Sequence, residues 1–152
     1  MMEASTLGNP AEENYQFGCG APPFETSDKK GAAGGSIRLW NPSAIPYAFT
    51  SSFTYNDRLT FAKAVEAIEA STCLRFVGRT NQREYIRIER ECPCGGSCFG
   101  GGYTDGLGVQ APRRLVIGSP CLSPTSASGV GLVIHETLHA LGVVHTQTRP
   151  DR

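Results

Sequence analysis

His135, Glu136, His139, Gly142 and His145 lie within eleven residues of one another near the end of the 152-residue chain. The chain has three histidines, and all three are here. The run His135-Glu136-Thr137-Leu138-His139-Ala140-Leu141-Gly142-Val143-Val144-His145 reads H-E-x-x-H-x-x-G-x-x-H. On a helix, residues four apart stack on one face, so His135 and His139 can turn their imidazoles to one metal ion. Glu136 stands one position on, beside the metal but off the line of ligands. It is placed to take a proton from a zinc-bound water rather than to bind zinc. A straight helix cannot bring position 145 back to the same ion. Gly142 makes the return possible, because glycine tolerates the left-handed backbone that ends a helix and turns the chain. Three neutral nitrogens and an open position describe one catalytic Zn2+, not a closed structural site. H-E-x-x-H alone also occurs on ordinary amphipathic core helices. Gly142 and His145 at their offsets tip the reading to a metal site.

The rest of the composition limits what such a site can belong to. The length allows one domain. Apolar residues make up 39% and charged residues 18%, enough for a modest core, while 18 glycines and ten prolines favour a loop-rich chain over a helical bundle. The formal net charge is zero, so nothing argues for nucleic acid or an anionic membrane as partner. No apolar stretch approaches a membrane span. The start, Met1-Met2-Glu3-Ala4-Ser5-Thr6, has no apolar core of a signal peptide. Yet six cysteines, Cys19, Cys73, Cys92, Cys94, Cys98 and Cys121, suit an oxidising compartment. The simplest expectation that joins the two is a secreted protein whose true amino terminus is not in this chain. A zinc cluster at Cys92-Pro93-Cys94 and Cys98 is the weaker reading, since the spacing fits no common finger and no second ligand pair follows.

The elements that must position the histidines follow from the patterns around them. Residues 1–36 are irregular, rich in glycine, proline and small polar residues, with a dibasic Lys29-Lys30 that fits either a processing site or a solvated linker. Ile45-Pro46-Tyr47-Ala48-Phe49 reads as a short strand, its proline tolerated at a strand start or on an edge. Asn56 or Asp57 can cap a helix through about Ser71, with Phe61, Val65 and Ile68 as its apolar stripe. Leu74-Arg75-Phe76-Val77 and Tyr85-Ile86-Arg87-Ile88-Glu89 read as strands, the second with Ile86 and Ile88 on one face. A glycine-rich loop runs from about Arg90 to Gly108, and Leu115-Val116-Ile117 is a further strand. A second helix starts near Ser126 or Ser128, buries Val130, Ile134 and Leu141, and ends in the metal motif. The expected fold is α+β, a twisted mixed sheet backed by two helices with the zinc helix last.

The stretch from His135 through Thr146-Gln147-Thr148-Arg149-Pro150-Asp151-Arg152 resembles the astacin signature of the metzincin proteases. Leu39-Trp40-Asn41-Pro42 with Ile45-Pro46-Tyr47 looks like the start of a mature astacin catalytic domain. Glu69-Ala70-Ser71-Thr72-Cys73-Leu74-Arg75-Phe76 is similar to that family's first helix and the cysteine after it. Residues 81–88 and Cys121 also fit. Arg149-Pro150-Asp151-Arg152 and Ile45-Pro46-Tyr47 disfavour a matrixin.

The resemblance divides the chain into a propeptide-like segment, 1–36, and the amino-terminal subdomain of a catalytic domain, 37–152. It implies a secreted zinc endopeptidase acting on protein or peptide substrates. His135, His139 and His145 would bind zinc, and Glu136 would act as general base. An edge strand, with Leu115 to Gly118 as candidate, would hold substrate by strand addition. The resemblance also implies pairing of Cys98 with Cys121, and of Cys73 with a cysteine beyond Arg152. In that reading the chain stops before the family's Met-turn and the tyrosine after it, and the alternative is a truncated, inactive zinc-binding or interfering form. Thr146 stands where the family has glutamate, Val143 replaces a usual aromatic, and Cys92 and Cys94 are additional. Phe24-Glu25-Thr26-Ser27-Asp28 departs from the family's zinc-capping propeptide motif, which leaves Cys19 as another cap or an ordinary cysteine.

Overall fold

The structure is a computed structural model that describes residues 37–91, 101–118 and 122–145. The amino-terminal segment with Cys19, Asp28 and Lys29-Lys30, the cysteines at 92, 94, 98 and 121, and Thr146 lie outside the described residues. Seven elements follow one another: β1 (Ile45–Phe49), α1 (Tyr55–Ser71), β2 (Phe76–Gly78), β3 (Ile86–Arg90), β4 (Gly102–Thr104), β5 (Arg113–Ile117) and α2 (Ala127–Leu141). The strands form one sheet in the order β2-β1-β3-β5-β4. Neighbours run parallel except β4, which is antiparallel to β5. This is the mixed sheet with two helices that the patterning implies.

One face of the sheet carries the core. Ile45, Ile86, Ile88, Leu115 and Ile117 are wholly buried there, against Phe61 and Ala64 of α1 and Val133 and Ala140 of α2. The period of two puts Arg87, Glu89 and Arg114 on the other face. There Glu89 Oε1 accepts from Arg114 Nε at 2.6 Å, and Glu89 pairs with Arg87 at 3.2 Å. Pro46 sits in an inner strand, yet costs no ladder bond. β1 pairs with β2 over Ile45–Tyr47, whereas its pairing with β3 begins only at Tyr47. The missing N–H of Pro46 therefore falls where one side of β1 has no neighbour.

Four expectations need correction. The cap of α1 is Thr54, not Asn56 or Asp57: its hydroxyl accepts from Asp57 N at 3.2 Å, and Asp57 Oδ2 accepts from Thr54 N at 2.9 Å. This is a reciprocal capping box. Val65 is only half-buried, and the stripe of α1 runs instead through Asp57, Thr60, Phe61, Ala64 and Ile68. On α2, Val130 and Ile134 are half-buried, while Val133, Glu136, Thr137, Ala140 and Leu141 are buried. A helix packed on both a sheet and a second helix buries a wider arc than one apolar stripe. Leu115–Gly118 is not an edge. β5 lies between β3 and β4, and β4, read from sequence as part of a loop, is the edge.

Asp57 is more than a cap. Its side chain and that of Arg90 are both fully buried and paired. Arg90 Nε donates to Oδ2 at 3.1 Å, and Leu122 N donates to Oδ1 at 3.2 Å. One carboxylate thus ties the start of α1, the end of β3 and the approach to α2. Cys73, after α1, is disulfide-bonded, its partner lying outside the described residues.

Candidate metal centre

α2 starts where Ser126 caps it, its hydroxyl accepting from Gly129 N at 3.2 Å. Fifteen residues later Gly142 ends it with φ 113° and ψ 6°. Gly142 N donates to His139 O and Val143 N to Leu138 O, each at 2.9 Å. This paired closure satisfies two carbonyls of the last turn and reverses the chain. The reversal brings His145 back over His139.

The consequence is a tight triangle of imidazole nitrogens. Nε2 of His135 and of His139 are 3.0 Å apart, His139 and His145 2.9 Å, and His145 and His135 3.1 Å. Nitrogens bound at about 2.0–2.1 Å to one tetrahedral zinc stand roughly 3.3 Å from each other, so the cluster is close to the size a zinc ion needs. His139 Nδ1 lies 2.7 Å from Val143 O. A carbonyl only accepts, so Nδ1 carries the proton there and Nε2 keeps its lone pair for a metal. His135 and His145 are exposed and His139 half-buried, so the space between their ring nitrogens is open to solvent on one side. Of the four residues singled out by spacing, the three histidines converge, and Glu136 projects to the sheet side of the same helix, 5% exposed.

Two supports of the site were not legible in sequence. The first is a strap across the Gly142 turn. Trp40 Nε1 donates to Ala140 O at 2.8 Å, and Val109 N donates to Arg38 O at 2.8 Å. A Cβ on Gly142 would lie 3.2 Å from Leu39 Cδ2 and 3.3 Å from Ile37 Cγ2. The only tryptophan of the chain was the available signal, and it has no periodicity to interpret. The second is β4, which packs against α2 beside Glu136. Its return loop is held by buried Arg113, which donates to Gly108 O at 2.8 Å, Leu107 O at 2.9 Å and Asp105 Oδ1 at 3.0 Å.

Known proteins are similar to this chain in sequence and in fold. The sequence pattern of the Astacin peptidase family matches residues 33–152. Tolloid-like protein 1 of Mus musculus is 32% identical over 152 residues, covering 96% of this chain and 14% of its own. Zinc metalloproteinase nas-26 of Caenorhabditis elegans is 36% identical over 119 residues, 78% of this chain and 26% of its own. Among solved structures, High choriolytic enzyme 1, a hatching enzyme zinc-protease from Oryzias latipes, superposes with a TM-score of 0.56 at 29% identity, over 75% of this chain and 53% of that one. This chain therefore spans about a quarter or less of those two relatives and about half of the solved neighbour. A family pattern over most of the chain, a matching fold and a three-histidine cluster on the last helix agree: the chain belongs to the astacin family of peptidases.

Proposed function

We propose that residues 37–152 form a zinc-dependent endopeptidase unit that hydrolyses peptide bonds in proteins, preceded by a propeptide-like segment over 1–36. The observation that carries this reading is the trio of Nε2 atoms within 3.1 Å of one another on the helix that also bears Glu136. His135, His139 and His145 would hold the ion. When bound, zinc supplies a Lewis acid for the scissile carbonyl and makes a water nucleophilic near neutral pH. Glu136 takes the proton of the attacking water and returns it to the leaving amine nitrogen as the C–N bond breaks. The peptide adds to β4 as an extended strand, using the edge groups that β5 leaves free. This assigns to β4 the role first expected of Leu115 to Gly118. Six cysteines favour secretion as the setting.

The test is cleavage of a denatured protein by the full chain, with and without a chelator, beside Glu136→Gln. The expected result is one zinc per chain in both proteins and chelator-sensitive cleavage in the first alone, with a loss of at least about 10²-fold for the variant. Zinc binding without cleavage in the unsubstituted chain would favour the inactive zinc-binding form. Cleavage that survives Glu136→Gln would overturn the role of the base.

A further inference from the structure

Gly102 is the third glycine of the run Gly100-Gly101-Gly102 and the first residue of β4, opposite Ile117 in the register with β5. A Cβ built on it would lie 2.8 Å from Glu136 Cγ, 3.3 Å from Glu136 Cδ and 2.9 Å from Val116 O. Non-bonded carbons prefer about 3.5–4.0 Å, so these contacts leave no room for a methyl group. Two residues on, Thr104 faces the same way and carries a full side chain, its hydroxyl donating to Gly106 O at 2.9 Å. The crowding is therefore local to Gly102 and arises because α2 presents Glu136 there.

The carboxylate of Glu136 takes no hydrogen bond and no ion pair from any described residue. Its direction is set by how its stem packs, and the stem packs on the bare backbone of Gly102. We propose that Gly102 is a positioning residue: its missing side chain lets the edge strand close on Glu136, and that contact fixes the base relative to the strand along which substrate lies. The proposal rests on the reading of Glu136 as base and of β4 as the substrate edge. It adds that the distance between the two is set at one glycine. A methyl group at 102 must displace either the Glu136 stem or the β4 backbone from Val116. Both movements part the base from the edge.

The experiment is Gly102→Ala in the full chain, made in three backgrounds: unsubstituted, Glu136→Ala and Glu136→Gln. The first readout is the fall in Tm. Alanine at 136 lacks Cγ and Cδ, so the fall is expected to shrink there by about half or more, the rest coming from Val116 O. Glutamine keeps the shape of glutamate, so the fall is expected in full. Folding of the double variant with Glu136→Ala where Gly102→Ala alone does not fold supports the contact equally. An equal fall in all three backgrounds overturns it, as does failure to fold in all three. The second readout is kinetic. Gly102→Ala is expected to lower kcat on the order of 10–10²-fold with KM and zinc content held, the signature of a misplaced group rather than lost binding. An unchanged kcat overturns the positioning role. If the unsubstituted chain cleaves nothing, the enzymatic reading falls, and the Tm comparison still decides the contact.

Discussion

Asp57→Ala removes the carboxylate on which three parts of the fold meet. The magnitude can be worked from its partners. Arg90 and Asp57 are both completely buried. Taking one member from such a pair leaves a buried charge without its counterion and costs about 3–5 kcal/mol. The same change deletes half the capping box of α1 and the acceptor of Leu122 N. Those losses overlap with the first, so about 4 kcal/mol is expected in all. Against a total of roughly 5–15 kcal/mol that is a large share. At about 2–4 °C per kcal/mol for a domain near this size, Tm falls by about 8–16 °C. Urea unfolding followed by circular dichroism measures it, and a cost below about 1 kcal/mol would refute the reasoning. Arg90→Met joined to Asp57→Ala should recover much of the loss, because the stranded charge is gone.

The same residue sets a pH dependence. Burial pushes the Asp57 carboxyl up, but the hydrogen bond from Arg90, the bonds with Thr54 and the charge of Arg90 together outweigh it, so the group titrates below its ordinary 3.8. A depressed carboxylate stabilises the fold fully above its unfolded value and loses that contribution as pH falls through its folded one. The stability gap between the unsubstituted chain and Asp57→Ala is therefore flat near neutrality and narrows below about pH 4. A gap that widens on acidification contradicts this sign.

Two further outcomes bear on the candidate metal site. Gly142→Ala forces a side chain to φ 113°, with Leu39 and Ile37 already within 3.3 Å of its Cβ. It should cost about 1–3 kcal/mol and weaken zinc binding, since His145 and the Val143 carbonyl both lie past the turn. Competition with a chromophoric chelator reads the affinity, and an unchanged value would show that the turn does not place His145. Zinc at about 100 times its dissociation constant should stabilise the fold by about 2.7 kcal/mol. Removal by a chelator is thus expected to lower Tm, and a Tm indifferent to zinc and chelator would count against the histidine cluster as a metal site.

Much of the site was legible because its parts are close in the chain. His135, Glu136 and His139 share one helix, and the route from His139 to His145 is a single glycine turn, so residue spacing alone defines their geometry. The strands with alternating or β-branched residues, and both helices, were legible for the same reason: each carries its own period. The cap of α1 was misplaced by two or three residues because Thr54, Asn56 and Asp57 are all good capping residues. Only the reciprocal bonds between Thr54 and Asp57 choose among them.

What sequence could not decide is whatever depends on two distant segments meeting. β4 is three residues among glycines, with no pattern of its own, and exists because β5 supplies its hydrogen bonds. Which strand is the edge follows from sheet order, a global property that no local run encodes. The pairing of Asp57 with Arg90, the hold of Trp40 on Ala140 and the fit of Gly102 over Glu136 span 33, 100 and 34 positions of chain. The convergence of His135, His139 and His145 beside Glu136 was thus determined by local spacing along one helix and its turn. The edge beside Glu136, and the supports that hold both in place, were decided only by the packing of the sheet against α2.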